Sequence, residues 1–244
     1  MSKEEIAAVI LAAGSSSRMG GVKKEFQRLK NGYTVLESSV RAFASAPSID
    51  VIVIAVSADT ETAARDAALR VSGGRPRIIF AQGGDTRRAS ARNALLSLSA
   101  LNETRYVLIH DGARPYVSVS LIENIIAAVK KHGAVIPLLP LVDTPKEFGA
   151  LNAGNEPVNE EPAAGKDKVM YILKHLKRAN VGAAQTPQAF RFPEILRAYE
   201  DAAEHAAREE FTDDAEIWGR LFDKAAVIAG DPANKKITFK EDLI

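Results

Sequence analysis

The sequence predicts an α/β protein built on a Rossmann-like, doubly wound and mainly parallel sheet. Short apolar runs alternate with longer amphipathic segments along the first half of the chain. The runs are apolar at almost every position, as in strands that are buried on both faces of a parallel sheet. Their order is βαβαβαβ, which favours helices covering both sides of one sheet. Right-handed crossovers then bring the loops that follow the strands to one edge, where ligands bind.

Each predicted strand of the first half is followed by a helical pattern. The strands are residues 6–11, 50–57, 77–81, 106–110 and 134–138. The helices between them are residues 34–46, 59–71, 86–98 and 118–132. The segment DVIVIAVS, residues 50–57, is rich in β-branched residues, which favour strands over helices.

The pattern breaks after Pro140, and residues 141–180 predict a projecting β-arm. Strand-like stretches at 144–148 and 168–173 flank a polar middle, residues 152–166, which we expect to be mobile. An isolated two-stranded ribbon is only marginally stable, so the arm is a natural contact between the subunits of a homodimer.

Beyond the arm, the chain returns to the main sheet. We expect two helices, at 193–208 and 213–222, and two strands, at 225–229 and 236–239. Residues 1–244 are therefore interpreted as a single domain that carries the arm as a subregion.

Composition excludes several classes of protein and site. A hydrophobic fraction of 46% in 244 residues is enough for a full core. The net charge of +1 gives no sign of a nucleic-acid-binding surface. The absence of cysteine excludes disulfides, thiolate metal sites and a cysteine nucleophile. The apolar run at 6–13 is too short to span a membrane, so we expect a soluble, cytoplasmic protein without a membrane partner.

The loop after the first strand, residues 12–24, predicts a phosphate-binding site. It holds Ala-Ala-Gly, three serines, Arg18, two glycines and two lysines. Small residues let backbone N–H groups approach phosphate oxygens, and Arg18 and Lys24 can add positive charge. The loop fits neither the Walker pattern nor the dinucleotide-binding pattern. The alternative is an ordinary strand-to-helix turn whose cations face solvent.

Seven segments in chain order resemble one enzyme family. LAAGSSSRMGGVKKEF resembles the phosphate-binding signature of sugar-phosphate nucleotidyltransferases, which have a glycosyltransferase-A-like fold. The other segments are GGDTRRAS (83–90), IHDGARP (109–115), VDTPK (142–146), AAQTPQAF (183–190), FTDDA (211–215) and NKKIT (234–238). Together they resemble the 2-C-methyl-D-erythritol 4-phosphate cytidylyltransferases over nearly the whole chain. Seven motifs in order are far more specific than any one of them.

The resemblance implies a role for each motif residue. Catalytic cations are Arg18, Lys24 and Lys236. Nucleotide-binding residues are Ala12, Ala13, Gly14, Gly84, Asp85, Ser90 and Gly112. Residues for the sugar phosphate are Thr144, Arg178 and Thr212. Asp85 can also cap the following helix, and Arg178 can also be a solvated member of a basic cluster.

Asp111 is the candidate ligand for Mg²⁺. It follows the fourth predicted strand, where a carboxylate faces the ligand edge, and Mg²⁺ commonly takes one or two carboxylates plus phosphates and waters. The neighbouring His110 is interpreted as a hydrogen-bonded structural residue, since Mg²⁺ prefers oxygen ligands.

The implied reaction is attack of a sugar-phosphate oxygen on the α-phosphorus of CTP, with release of pyrophosphate. The nucleophile is already an anion, so the reaction depends on positioning and on preorganised cations. Three alternatives stay open: another polyol phosphate such as ribitol 5-phosphate, a non-catalytic nucleotide-binding module, and a purely structural dimer. The chain departs from the family at Ser16, Lys23 and Glu25, where the family has Gly, Pro and Gln.

Overall fold

The computed structural model describes residues 5–14, 22–101, 103–152, 157–158, 169–206, 209–222 and 224–243. The chain forms two compact units. One consists of Met1–Pro137 with Gln185–Ile244, and the other is Leu138–Ala184, the segment that includes the predicted arm.

The described chain contains eleven strands and six α-helices. In chain order, the strands are β1 Glu5–Leu11, β2 Val51–Val56, β3 Arg77–Gln82, β4 Thr104–Asp111, β5 Ala134–Pro140, β6 Lys146–Leu151, β7 Pro157–Val158, β8 Tyr171–His175, β9 Gly182–Ala184, β10 Gln188–Arg191 and β11 Ala226–Ala229. The helices are α1 Val35–Ala44, α2 Glu61–Ser72, α3 Arg87–Ser99, α4 Val119–His132, α5 Phe192–His205 and α6 Asp214–Trp218.

The main sheet has the strand order β11-β5-β10-β4-β1-β2-β3, and β9 pairs with β5. Strands β4, β1, β2 and β3 are parallel. Strand β10 runs antiparallel between β4 and β5, with Ala189 opposite both Leu108 and Val135. The predicted α/β class with a mainly parallel sheet is confirmed.

The core lies on both faces of this sheet, as the uninterrupted apolar runs predict. Every residue of β2 is buried. One face packs against α1, α2 and α4 through residues such as Phe43 and Ile125. The other packs against α3, α5 and α6 through Leu95, Tyr199 and Trp218. The buried sheet holds the loops at its carboxyl edge on a rigid base.

One predicted helix is shorter than expected, and one predicted strand is wrong. The helix expected at 213–222 ends at Trp218. Residues 236–239 do not form a strand, because Asp242 Oδ2 accepts hydrogen bonds from the backbone N–H groups of Thr238 and Phe239. A strand neighbour therefore cannot take those donors.

Helix starts are set by side-chain caps. Thr34 forms a capping box with Glu37 at the start of α1. Thr86 caps α3 by accepting from Ala89 N, so the prediction that Asp85 caps this helix is wrong. Asp213 caps α6 by accepting from Glu216 N. Each cap satisfies a backbone donor that has no partner within its helix.

In the second unit, β6 pairs antiparallel with both β7 and β8. The predicted pair of arm strands is present, with bounds two to three residues further along the chain. Most of the middle segment, 152–166, lies outside the described residues, so its predicted mobility stays a prediction. Across the described chain, none of the helices combines the length and apolarity that crossing a bilayer requires.

Candidate functional site

The loops after β1 and β3 meet at the carboxyl edge of the sheet. Ala12 is buried and donates its N–H to Ala55 O at 2.8 Å. Gly83 follows β3, and a Cβ at this position would overlap the methyl group of Ala13. Only glycine fits there without moving one of the loops. The edge therefore brings together two of the segments that the sequence predicts to bind a nucleotide.

The turn at 83–90 is braced from within. Ser90 is buried, and its hydroxyl oxygen accepts from Gly84 N at 3.0 Å and lies 3.0 Å from Thr86 O. A Cβ on Gly84 would fall 2.5 Å from the Ala89 methyl. Asp85 is exposed at the tip. The Ser90 hydroxyl thus holds the turn in shape, and the Asp85 side chain at the tip of the turn faces solvent.

Two of the three family departures, Lys23 and Glu25, lie at the end of the β1 loop. Lys23 reaches across to the end of β2, with Nζ 3.3 Å from Ser57 Oγ and 3.6 Å from Asp59 Oδ2. Glu25 is buried, and its Oε1 lies 3.8 Å from where a Cβ on Gly14 would be. Lys24 is half-buried on the short 3-10 helix Lys24–Phe26.

Residues 15–21 of this loop lie outside the part of the chain that the structure describes. Arg18, the predicted catalytic arginine, and Ser16, a family departure, both lie outside the described residues. Their assignment remains a prediction from the sequence.

Asp111 ends β4 at the centre of a cluster of cations. Its Oδ2 accepts from Lys236 Nζ at 2.8 Å, and its Oδ1 accepts from Arg87 Nε at 3.1 Å. Arg114 Nε lies 3.8 Å from Oδ2. Burial favours the neutral acid, but Arg87 and Lys236 outweigh it and hold the pKa of Asp111 well below its usual value. The group is therefore a carboxylate at neutral pH.

Arg87 is locked in place from its other side. Its Nη1 and Nη2 donate to the two oxygens of Asp214, each at 2.8 Å, and Tyr199 donates its hydroxyl proton to Asp214 Oδ1. Asp214 and Tyr199 are fully buried. Burial alone would lower the pKa of Arg87, but the carboxylates of Asp214 and Asp111 raise it. A buried chain of polar groups thus supports the carboxylate at the sheet edge.

His110 is a structural residue, as the sequence predicts. Its Nε2 lies 3.1 Å from Arg114 O, which only accepts, so Nε2 carries the proton. Its Nδ1 then accepts from the Thr186 hydroxyl at 3.2 Å. Burial lowers the pKa of His110 to about 4, so the ring is neutral at pH 7. Because Thr186 Oγ1 also accepts from Asp111 N at 3.0 Å, the histidine fixes the end of β4.

The segment that carries Lys236 is docked onto the turn before β10. Gln185 Nε2 donates to Asp231 O and Asn234 O, and Asn234 Nδ2 donates to Thr186 O. Arg114 Nη1 adds a bond to Asn234 O at 2.9 Å. These contacts, far apart in sequence, place the lysine beside Asp111.

The remaining predicted residues divide between the two units. The N–H of Gly112 donates to Leu11 O, and its carbonyl oxygen accepts from Ser39 Oγ. Gly112 therefore shapes the loop through its backbone. Thr212 donates its N–H and hydroxyl proton to Glu216 Oε2, at 2.7 and 2.8 Å. Thr144 and Arg178 belong to the second unit, where Arg178 Nη1 donates to Val142 O at 2.6 Å.

Sequence reasoning missed the roles of Asp214 and Tyr199. Asp214 lies in the FTDDA motif, from which only Thr212 was assigned a role, and no motif marks Tyr199.

Asp111, Lys236, Arg87 and Arg114 form a preorganised electrostatic site. An anion flanked by three cations at a strand end can bind a polyphosphate through the cations and a divalent ion through the carboxylate. No group of three or more acidic or histidine side chains in the described part of the chain could hold a metal by itself. One carboxylate still suits Mg²⁺ that is bound together with phosphates.

Comparison with known proteins places these features in one family. The family model for 2-C-methyl-D-erythritol 4-phosphate cytidylyltransferase, IspD, matches residues 6–244. A relative from Bartonella henselae, named bifunctional enzyme IspD/IspF, is 33% identical over 240 residues, 98% of this chain and 55% of the relative. A relative of the same name from a Bradyrhizobium species is 37% identical over 99% of this chain and 55% of its own length. The chain thus spans about half the length of the curated relatives it matches.

Solved structures agree in fold. The 4-diphosphocytidyl-2C-methyl-D-erythritol synthase of Anaerococcus prevotii has a TM-score of 0.79 and 28% identity, covering 98% of this chain and 93% of its own. The Francisella tularensis 2-C-methyl-D-erythritol 4-phosphate cytidylyltransferase has a TM-score of 0.74 and 26% identity. The match covers 98% of this chain and 96% of the Francisella chain.

Proposed function

Because this chain belongs to the 2-C-methyl-D-erythritol 4-phosphate cytidylyltransferase family, we propose that it transfers CMP from CTP to 2-C-methyl-D-erythritol 4-phosphate. The products are 4-diphosphocytidyl-2-C-methyl-D-erythritol and pyrophosphate. The observation that carries the proposal is the buried Asp111 carboxylate at the end of β4, surrounded by Lys236, Arg87 and Arg114.

The chemistry is a displacement at phosphorus. An oxygen of the substrate phosphate forms a bond to the α-phosphorus of CTP, and the bond from that phosphorus to the bridging oxygen of pyrophosphate breaks. The bonding electrons leave with pyrophosphate. Two polyanions must meet, so positioned cations that stabilise the developing charge are the main requirement. We assign this role to Arg18, Lys24 and Lys236.

The nucleotide would lie across the carboxyl edge. In this proposal the backbone of Ala12, Ala13 and Gly14 approaches the nucleotide, with Gly112 shaping the neighbouring loop. Gly84, Asp85 and Ser90 surround the cytosine. The exposed carboxylate of Asp85 can accept from its amino group, and the braced turn supplies backbone groups for its carbonyl.

Mg²⁺ is the proposed cofactor, with Asp111 as its protein ligand. Bound there with the triphosphate, the ion would neutralise phosphate charge. The fit rests on the donor chemistry, since Asp111 is ionised and sits where the parallel strands end.

The sugar phosphate is assigned to Thr144, Arg178 and Thr212. Arginine suits a phosphate monoester because its planar fork can donate two parallel hydrogen bonds. Thr212 already donates its hydroxyl proton to Glu216, so it presents lone pairs to a substrate hydroxyl.

We propose a homodimer formed through the arm. Large apolar side chains on the second unit are exposed, namely Val142, Phe148, Val169, Tyr171 and Ile172. A cluster of this kind is typical of a surface that another chain covers. A cytoplasmic location follows from the proposed use of CTP, an intracellular nucleotide.

The test is pyrophosphate release from CTP and Mg²⁺ with each of two acceptors. We expect turnover with 2-C-methyl-D-erythritol 4-phosphate and little with ribitol 5-phosphate. Preference for ribitol 5-phosphate would overturn the substrate assignment. Absence of turnover with both, in a protein that still binds CTP, would favour a non-catalytic nucleotide-binding module.

A further inference from the structure

We propose that Lys23 is a positioning residue for the transferase reaction, because its side chain ties the backbone of Lys24 to the segment that follows β2. The contacts of Lys23 with Ser57 and Asp59 are termed the Lys23 bridge. The inference deepens the proposed function and rests on it, since Lys24 is one of the cations assigned to the triphosphate.

The Lys23 bridge joins two segments that are 34 residues apart in the chain. Lys23 Nζ lies 3.3 Å from Ser57 Oγ and 3.6 Å from Asp59 Oδ2. The lysine side chain is 29% exposed and the aspartate side chain is 66% exposed, so water screens part of their attraction. A pair of this kind contributes little to the stability of the whole protein. Its effect is instead to restrict one loop locally.

The segment that receives the lysine is fixed by its own hydrogen bonds. The hydroxyl oxygens of Ser57 and Thr60 lie 2.9 Å apart, and Thr60 N donates to Ser57 O at 3.0 Å. Thr60 is buried, and Ser57 directly follows β2, in which every residue is buried. A side chain bound here is therefore held against the rigid sheet.

The position of Lys24 depends on its neighbour Lys23. Lys24 begins the 3-10 helix Lys24–Phe26, a single turn that is too short to be stable by itself. The carbonyl oxygen of Lys23 accepts from Phe26 N at 3.3 Å, which closes this turn. Anchoring the Lys23 side chain therefore restricts the start of the turn, and with it the backbone that carries Lys24.

The backbone at Lys23 has a geometry that proline also adopts. Its φ is −62°, within the range of about −65 ± 15° that the pyrrolidine ring imposes. A proline at this position removes the bridge and the charge but restricts the same backbone angle. The variant K23P therefore separates a positioning role of Lys23 from any role of its ammonium group.

The experiment compares wild type with K23M, D59N, the double variant K23M/D59N and K23P. Lys30 is an exposed lysine in the next turn, so K30M controls for net charge. The first measurement is hydrogen exchange of the Phe26 and Gln27 amides in the nucleotide-free full chain. The second is kcat for pyrophosphate release at saturating CTP and 2-C-methyl-D-erythritol 4-phosphate.

Losing the bridge should speed exchange and lower kcat by about two- to fivefold in both K23M and D59N, the scale of a partly exposed ion pair. The double variant should lose no more than K23M, because the two single changes remove the same contact. K23P should recover most of the loss, and K30M should match wild type.

A direct contact between Lys23 and the phosphates predicts different results. In that case D59N would keep or raise kcat, and K23P would be as slow as K23M; either result overturns the positioning role. Equal exchange in wild type, K23M and D59N overturns the bridge, as does an equal loss of kcat in K30M. If wild type releases no pyrophosphate, the proposed function fails, while the exchange rates still decide whether the bridge holds the turn. Far-ultraviolet circular dichroism of each variant checks that it is folded.

Discussion

Replacing Asp214 by asparagine tests the buried support beneath the site. Asp214 is fully buried and accepts three hydrogen bonds, two from Arg87 and one from Tyr199. An asparagine keeps one carbonyl oxygen and turns an NH₂ donor toward groups that are donors themselves. Removing one partner of a buried ion pair costs about 3–5 kcal/mol. The Arg87 side chain is 33% exposed, so water should offset part of this cost and we expect about 2–3 kcal/mol.

The assay is urea unfolding monitored by circular dichroism. We compare the urea concentrations at the midpoints of unfolding for variants whose free energy of unfolding falls equally steeply with urea concentration. For a slope of about 3 kcal/mol per M, the midpoint should fall by roughly 1 M. The control is D201N, which weakens the contacts of Asp201 with Arg220 and His205 at a more exposed position and should cost less than about 1 kcal/mol. The double variant R87M/D214N should recover part of the loss, because no uncompensated charge remains. Equal midpoints for D214N and D201N would refute the buried support.

Three further predictions concern the site and its frame. Lys24→Ala should lower kcat for pyrophosphate release by about two to three orders of magnitude, the scale for losing one preorganised cation; near-full kcat would rule out that role. Arg178→Ala should raise KM for the sugar phosphate and leave the Kd for CTP unchanged, which separate titrations of the two substrates measure. Gly112→Ala puts a Cβ 2.8 Å from Leu11 O. Because of this overpacking, we expect the free energy of unfolding, measured with urea, to fall by about 1–3 kcal/mol. An unchanged unfolding midpoint would contradict this expectation.

Much of the fold could be predicted from local pattern alone. Strands β1, β2 and β4 are long and apolar, and their burial follows from composition. Strand β10 was missed because QAFR is short and follows a proline, so nothing local distinguishes it from a turn. Its place between β4 and β5 depends on antiparallel pairing with two strands that are distant in sequence.

The helix caps show where local pattern becomes ambiguous. Asp85 and Thr86 are both good capping residues, and the sequence alone does not choose between them. Ser90 holds the turn so that Thr86 takes the cap and Asp85 faces solvent. In FTDDA, Asp213 caps the helix, which rotates Asp214 inward toward Arg87.

The sequence by itself determined the α/β class, the family, and which residues can carry charge or approach phosphate. These properties depend on residue type, on periodicity and on the order of motifs along the chain, and all three can be read without knowing which residues are in contact. Only the tertiary structure decided which charges meet. Asp111, Lys236 and Arg87 lie on three separate segments, and parallel strands, together with a turn docked through Gln185, bring them within hydrogen-bond distance. Pairing of this kind depends on long-range packing. The tertiary structure therefore decides that Lys236 contacts the Asp111 carboxylate and that Asp214 holds the far side of Arg87.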